Sequence, residues 1–314
     1  MRLRVITALY NEYKKSIKSP DTEEKLDLIL YRPFGFVIAK ISHFLNMTPT
    51  MLSLFGLFFG LVASLYFLNI QNANALVLGG FYFILSGIFD SADGQLARIS
   101  NQSTSWGLIL DGICDSLVTI AVYFSCAKSL ITASNYFYLI IIFSALYLHS
   151  LQCAILDFYH REYLYFGLGK IESGAYWNPS VLEGIENIAN SKNFLERILN
   201  KLRLTWIKKQ QLLTTRTENE RMIMREFLLN KSNYKKEFFM EKYREHNLKL
   251  LPWWRLIGVN AHTFLIIFFM YFNRFDIYLI AFDLILFNLI IFVVGSFQKK
   301  ADKKFFNEMQ LNIA

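Results

Sequence analysis

The stretch Asp90-Ser-Ala-Asp93-Gly94-Gln-Leu-Ala97-Arg98, followed by an eight-residue spacer and Gly107-Leu-Ile-Leu-Asp111-Gly-Ile-Cys-Asp115, sets four carboxylates inside otherwise apolar sequence. Each ionised aspartate near mid-bilayer costs roughly 2.5 to 3.5 kcal/mol on an insertion scale, so four cost about 10 kcal/mol without partners. Positive charge must collect there. Asp90 and Asp93 are three apart and Asp111 and Asp115 four apart. On two antiparallel helices joined by a short loop, each pair shares a face and the four carboxylates converge. Arg98 alone does not balance them, whereas two divalent cations about 3.5 to 4 Å apart would. All-oxygen ligation selects a hard ion, Mg²⁺ or Mn²⁺. Gly94 and Ala97 follow Asp90, and Gly107 precedes Asp111, at helical spacing. They leave a face without bulk where a substrate or a partner backbone comes close.

The rest of the chain places these residues in a bilayer. Of 314 residues, 54% are hydrophobic and 17% aromatic, with only five prolines. Six apolar runs are long enough to span: Thr50–Asn69, Ala75–Arg98, Ser105–Leu130, Tyr136–Tyr159, Trp254–Phe272 and Ile277–Phe297. The apolar stretch after Arg4 is too short for a cleavable signal peptide, so the first span is expected to carry the insertion signal. Residues 1–32 hold seven Lys and Arg, residues 158–252 seventeen and the tail after Phe297 four, while the alternate connections hold none, Lys128 and Arg274. By the positive-inside rule both termini, the long basic segment and the Asp90–Asp115 turn are cytoplasmic.

The expected fold is therefore an all-α polytopic membrane protein with six transmembrane helices. Its organisation reads as a cytoplasmic tail (1–30), an interfacial helix with four spans and the acidic motif (31–159), a basic helical insert (160–252), two further spans (253–298) and a second cytoplasmic tail (299–314). Much of the net charge of +8 comes from the insert, with its seventeen basic and eleven acidic residues. No nucleic-acid motif accompanies that charge, so no nucleic acid is expected as a partner. Anionic headgroups are, each basic residue near them contributing about 1 kcal/mol. Cys114, Cys126 and Cys153 all fall in spans without disulfide or metal spacing and read as packing residues.

Before the first span, Tyr31 to Leu45 reads as an amphipathic interfacial helix with Val37, Ile41, Phe44 and Leu45 on one face and Lys40 and His43 turned to the headgroups or the cleft. In the first span, Gly56, Gly60 and Ser64 repeat every four residues, compatible with internal packing or with a homodimer. Within the insert, Phe194, Leu195, Ile198, Leu199, Leu202 and Trp206 make an apolar stripe, with Lys192, Arg197, Lys201, Arg203 and Lys208 around it. Thr217-x-x-Glu220 has capping-box form and opens a second helix through Met222, Met224 and Leu228. No nucleophile constellation or phosphate-binding loop appears there. Polar residues inside the later spans (His149, Gln152, Asn260, His262, Asp283 and Asn288) shape an acceptor pocket or make interhelical hydrogen bonds. Arg255, beside Trp253 and Trp254, reads as a snorkelling residue or as a cation for an acidic acceptor.

The string Asp-x-x-Asp-Gly-x-x-Ala-Arg, eight residues, then Gly-x-x-x-Asp-x-x-x-Asp resembles the complete signature of the CDP-alcohol phosphotransferases, the CDP-alcohol phosphatidyltransferase family. The similarity covers roughly Tyr31 to Tyr159. It implies that Asp90, Asp93 and Asp111 bind two metal ions, and that Asp115 contacts metal and acts as base on an acceptor hydroxyl. Gly94, Ala97, Arg98 and Gly107 would line the CDP site. Where the family often has Thr-Pro-Asn-x-x-Thr before its first span, this chain has Thr48-Pro49-Thr50-Met51-Leu52-Ser53. Capping by Thr48 with Pro49 at the first helical position explains that text at least as well as a phosphate contact by Thr50 or Ser53.

The resemblance implies an enzyme of phospholipid synthesis that moves a phosphatidyl group from CDP-diacylglycerol to a small polar alcohol and releases CMP. Its partners would be a CDP-linked donor, an alcohol acceptor and the lipid bilayer. A choline- or ethanolamine-type enzyme, moving a headgroup from a soluble CDP-alcohol to a lipid hydroxyl, is the alternative within the class. A cation-coupled transporter, or an inert charge network closed by Arg98, is the alternative outside it. Neither of the latter needs the glycines at those offsets.

Overall fold

The computed structural model describes residues 2–102, 104–131, 136–170, 194–212, 214–230 and 233–311. The described residues are mostly helical and include no strand. In chain order the helices are α1 (Arg2–Ser16), α2 (Arg32–Phe44), α3 (Pro49–Phe67), α4 (Ala73–Ser100), α5 (Ser105–Ala127), α6 (Phe137–Gly167), α7 (Phe194–Leu212), α8 (Glu218–Asn230), α9 (Asn233–Asn247), α10 (Val259–Tyr271) and α11 (Phe275–Glu308). α3, α4, α6 and α11, together with Gly107–Ala127 of α5, are long and apolar enough to cross a membrane. A sixth span is present if Leu251–Ile257 and α10 count as one. The fifth apolar run was expected as a continuous helix from Trp254 to Phe272; it breaks at Gly258, whose backbone is extended (φ −84°, ψ 168°). An apolar run carries no mark of such a break beyond the glycine itself. The fourth and sixth helices also run past their expected ends, to Gly167 and Glu308.

The chain divides into two compact units, residues 1–147 with 260–284 and residues 148–259 with 285–314. In the first, α3 starts where Thr48 accepts a hydrogen bond from the Met51 amide with Pro49 behind it, the cap read from the sequence. Asn72 caps α4 in the same way through the Asn74 and Ala75 amides. α3 packs against both α4 and α5. The small-residue stripe makes this arrangement possible within one chain. A side-chain carbon at Gly56 would touch the Ser86 carbonyl at 3.4 Å, and one at Gly60 would overlap the Val118 side chain. The Ser86 hydroxyl donates to the Gly56 carbonyl at 2.7 Å across the same contact. Val118 is branched at Cβ and has little rotamer freedom to retreat. Gly60→Ala is therefore expected to destabilise the protein by about 1–3 kcal/mol through overpacking, read as a lowered thermal midpoint in detergent.

A buried polar chain completes this unit. Tyr123 of α5 donates to Asp283 at 2.7 Å and meets the Tyr278 hydroxyl at 2.6 Å, which in turn meets His262 Nδ1 at 2.6 Å. The Asn260 amide donates to Glu24 and Asp27, each at 2.9 Å. Asn260, His262 and Asp283 thus make the interhelical hydrogen bonds that were one of the two expectations for them. Asp283 finds its partners far away in sequence. α2 buries Gly35, Ala39 and Ser42 against α4 and leaves Val37, Ile41, Phe44 and Leu45 exposed together, the apolar face of an interfacial helix. Lys40 pairs with Glu12 of α1 at 2.8 Å.

In the second unit, Tyr163, Phe166, Met224, Leu228, Phe239, Tyr243, Leu251, Phe305 and Phe306 form one apolar core. Beside it Arg216, only 1% exposed, is held between Glu162 and Asp302 and also donates to Tyr243 and Asn247. Gln298 bridges Asn247 and Asp302 at 2.7 Å each and accepts from the Trp254 indole at 3.2 Å. Thr217 and Glu220 make the reciprocal capping bonds expected at the start of α8. On α7, Phe194, Ile198, Leu202 and Trp206 form an exposed apolar line, while Asn200, Ile207 and Gln210 are buried. Lys192 and the side chains of Leu195, Leu199, Arg203 and Lys208 lie outside the described residues.

Candidate active site

The acidic motif sits at one end of α4 and α5. α4 closes at Asn101, which takes the left-handed conformation (φ 54°) that asparagine tolerates better than most residues. Thr104 then opens α5 by accepting from the Gly107 amide at 3.0 Å. This short reversal turns Asp111 back toward Asp90 and Asp93. Carboxylate oxygens of these three residues all lie within 4.8 Å of one another. Asp115 is not in that group; it lies one turn further along α5 and is exposed. A side-chain carbon added at Gly112, between Asp111 and Asp115, would meet nothing within 4 Å. Open space therefore borders the carboxylates.

Three carboxylates packed this closely among apolar helices repel one another strongly when ionised, and a proton or a cation between them relieves it. The donor set is all carboxylate oxygen at mutual distances that one hard cation, or two close together, can bridge. Ser53 supports it by donating to Asp93 Oδ2 at 2.5 Å. Ser53 thus serves the site through a carboxylate. The sequence left its role open because the contact crosses from α3 to α4, and no local pattern reports that.

The small residues divide in their roles. Arg98 lays its guanidinium over Gly94, where a Cβ would lie 3.4 Å from Nη1 and 3.5 Å from Nη2. Gly107 faces Thr104 and, at 3.9 Å, Thr50. Ala97, one residue before Arg98, is half-buried on α4. Arg98 donates through Nε to the Ser16 carbonyl. Because the group over Gly94 is the tip of a flexible side chain, Gly94→Ala is expected to be tolerated. Gly94→Leu is expected to displace the guanidinium and loosen its bond to the Ser16 carbonyl, read as a lowered thermal midpoint in detergent.

Comparison with known proteins fits this geometry. A family model described as CDP-alcohol phosphatidyltransferase matches residues 46–173, which include every residue of the acidic motif. Residues 46–173 are thus similar to a CDP-alcohol phosphatidyltransferase domain. Over 70 residues the chain is 39% identical to an uncharacterized protein of Aquifex aeolicus (strain VF5), a match covering 22% of this chain and 34% of that relative. The chain thus spans about a third of the length of the curated relative it matches.

Proposed function

We propose that this chain is an integral membrane phosphotransferase of phospholipid synthesis. It moves a phosphatidyl group from CDP-diacylglycerol to the hydroxyl of a small polar alcohol and releases CMP. The observation that carries the reading is the gathering of Asp90, Asp93 and Asp111 within 4.8 Å inside the family domain. In this reading those three residues hold two Mg²⁺ or Mn²⁺ ions, and Ser53 fixes the orientation of Asp93. Ions bound there would neutralise the pyrophosphate and stabilise charge on the departing CMP. Asp115, set apart from the three ligands and beside open space, takes the proton from the acceptor hydroxyl as its oxygen bonds to the phosphatidyl phosphorus. The phosphorus–oxygen bond to CMP breaks in the same displacement. Arg98 and Gly94 receive the nucleotide end of the donor. The distribution of Lys and Arg supports a cytoplasmic site, where a water-soluble acceptor is available.

The test is to supply the purified protein in bilayers with CDP-diacylglycerol labelled in the phosphatidyl group and a panel of small alcohols. In parallel it receives labelled CDP-choline or CDP-ethanolamine with diacylglycerol. The reading predicts a new labelled phospholipid and stoichiometric CMP in the first reaction. Product only in the second would assign the choline- or ethanolamine-type reaction instead.

A further inference from the structure

Upstream of the matched residues 46–173, the end of α1 is fastened to α4 beside the acidic motif. The Ser16 carbonyl accepts from Arg98 Nε, and the Ser16 hydroxyl accepts from the Gln95 amide at 3.0 Å. The same Gln95 nitrogen donates to the Arg32 carbonyl, at the start of α2, at 3.1 Å. Its oxygen accepts from the Ser91 hydroxyl at 3.5 Å. Ser16 and Gln95 are both fully buried. A side-chain carbon at Gly35 would press on the Gln95 oxygen, so α2 closes over this amide and restricts its rotamers.

Arg98 is held by this arrangement at one edge. Nε is committed to Ser16, and the two terminal nitrogens lie over Gly94, within 3.5 Å of where its Cβ would be. Nη2 is buried without a hydrogen-bond partner among the described residues. Glu23, the buried carboxylate of the same upstream segment, pairs with Arg32 at 2.8 Å instead. A buried guanidinium nitrogen without an acceptor is costly, and a phosphate oxygen is the acceptor whose geometry suits the planar fork.

We propose that Ser16 and Gln95 are positioning residues of the active site, which fix the Arg98 guanidinium by its Nε edge so that Nη2 donates to a phosphate oxygen of the CDP-linked donor. The inference rests on the CDP-alcohol reading above and deepens it. Both amide hydrogens of Gln95 are spent on Ser16 and Arg32, so it acts on the donor through Arg98 and not directly. A guanidinium already fixed at one edge loses less rotamer freedom on taking a ligand, and affinity rises without a new contact.

The test uses the full-length protein in bilayers. It measures CDP affinity in Mg²⁺ by calorimetry, and KM for donor and acceptor from CMP release. Arg98→Ala is expected to weaken CDP binding about a hundredfold, Gln95→Leu about tenfold and Ser16→Ala about threefold. Donor KM should rise in step while acceptor KM stays as in wild type. Gln95→Leu or Ser16→Ala added to Arg98→Ala should weaken binding no further, because the group they act through has gone. Thermal midpoints report the fold, and Ser16→Ala, which removes a single oxygen, carries the test should Gln95→Leu unfold. Wild-type CDP affinity in Ser16→Ala, or full additivity in the double variants, would reduce both residues to packing and overturn the proposal without touching the enzyme reading. A raised acceptor KM with unchanged CDP affinity would overturn it too. Should the wild type release no CMP from any donor yet bind CDP with this dependence on Ser16 and Gln95, the enzyme reading falls while the positioning of Arg98 stands.

Discussion

Asp90→Asn, Asp93→Asn and Asp111→Asn should each lower CMP release by about a thousandfold while leaving a folded membrane protein. Asparagine keeps the size and one oxygen of aspartate but removes the charge with which the three clustered carboxylates would hold a cation in the proposed reaction. Loss of metal-assisted stabilisation of a departing phosphate is worth several kcal/mol, and about 4 kcal/mol is a factor of roughly a thousand. Asp115→Asn should behave differently. Its carboxylate stands outside the 4.8 Å group, so turnover should fall while Mn²⁺ affinity, followed by electron paramagnetic resonance, stays near wild type. The three ligand variants should lose both. Near-normal CMP release from any of those three would remove that residue from the metal site, and retained activity in Asp115→Asn would put the base elsewhere.

Arg216→Met should destabilise the second unit by about 3–5 kcal/mol, because it leaves Glu162 and Asp302 buried without their cation. Burial works against the guanidinium charge, yet the adjacent Asp302 and Glu162 hold its pKa well above the ordinary arginine value. Removing one partner of such a group costs far more than the pair contributes when whole. The expected sign is a large fall in thermal midpoint and early proteolysis within residues 194–247. Replacing Glu162 and Asp302 by Gln and Asn together with Arg216→Met should recover part of the loss, since the stranded charges disappear. A midpoint equal to wild type in Arg216→Met alone would show that the network contributes no stability.

Much of the active-site hairpin could be read from the sequence. Asp90, Asp93 and Asp111 recur at helical spacing in apolar surroundings, and both facts are local. The same holds for the Thr48 and Thr217 caps and for the amphipathic face of α2. Contacts between distant segments were not legible. Ser53 on Asp93, Ser16 on Arg98 and Tyr123 on Asp283 join residues 40, 82 and 160 apart, and periodicity carries no information at such separations. Glu162, Arg216 and Asp302 carry no mark of burial in the sequence, because only tertiary packing buries them. α3, with glycine at the crossing points, packs against both α4 and α5, a pairing that no local pattern reports. Asp115 lies one turn further along α5 than Asp111, outside the 4.8 Å group.

The dependence of CMP release on divalent metal tests the account most directly. Purified protein in bilayers, stripped with chelator and given a CDP-alcohol donor with its acceptor, should release no CMP. Release should return in a saturable way with Mg²⁺ or Mn²⁺, and Asp93→Asn should abolish that recovery at every metal concentration. CMP release that survives full chelation, or cation-dependent uptake into vesicles with no CMP from any CDP-alcohol, would contradict it.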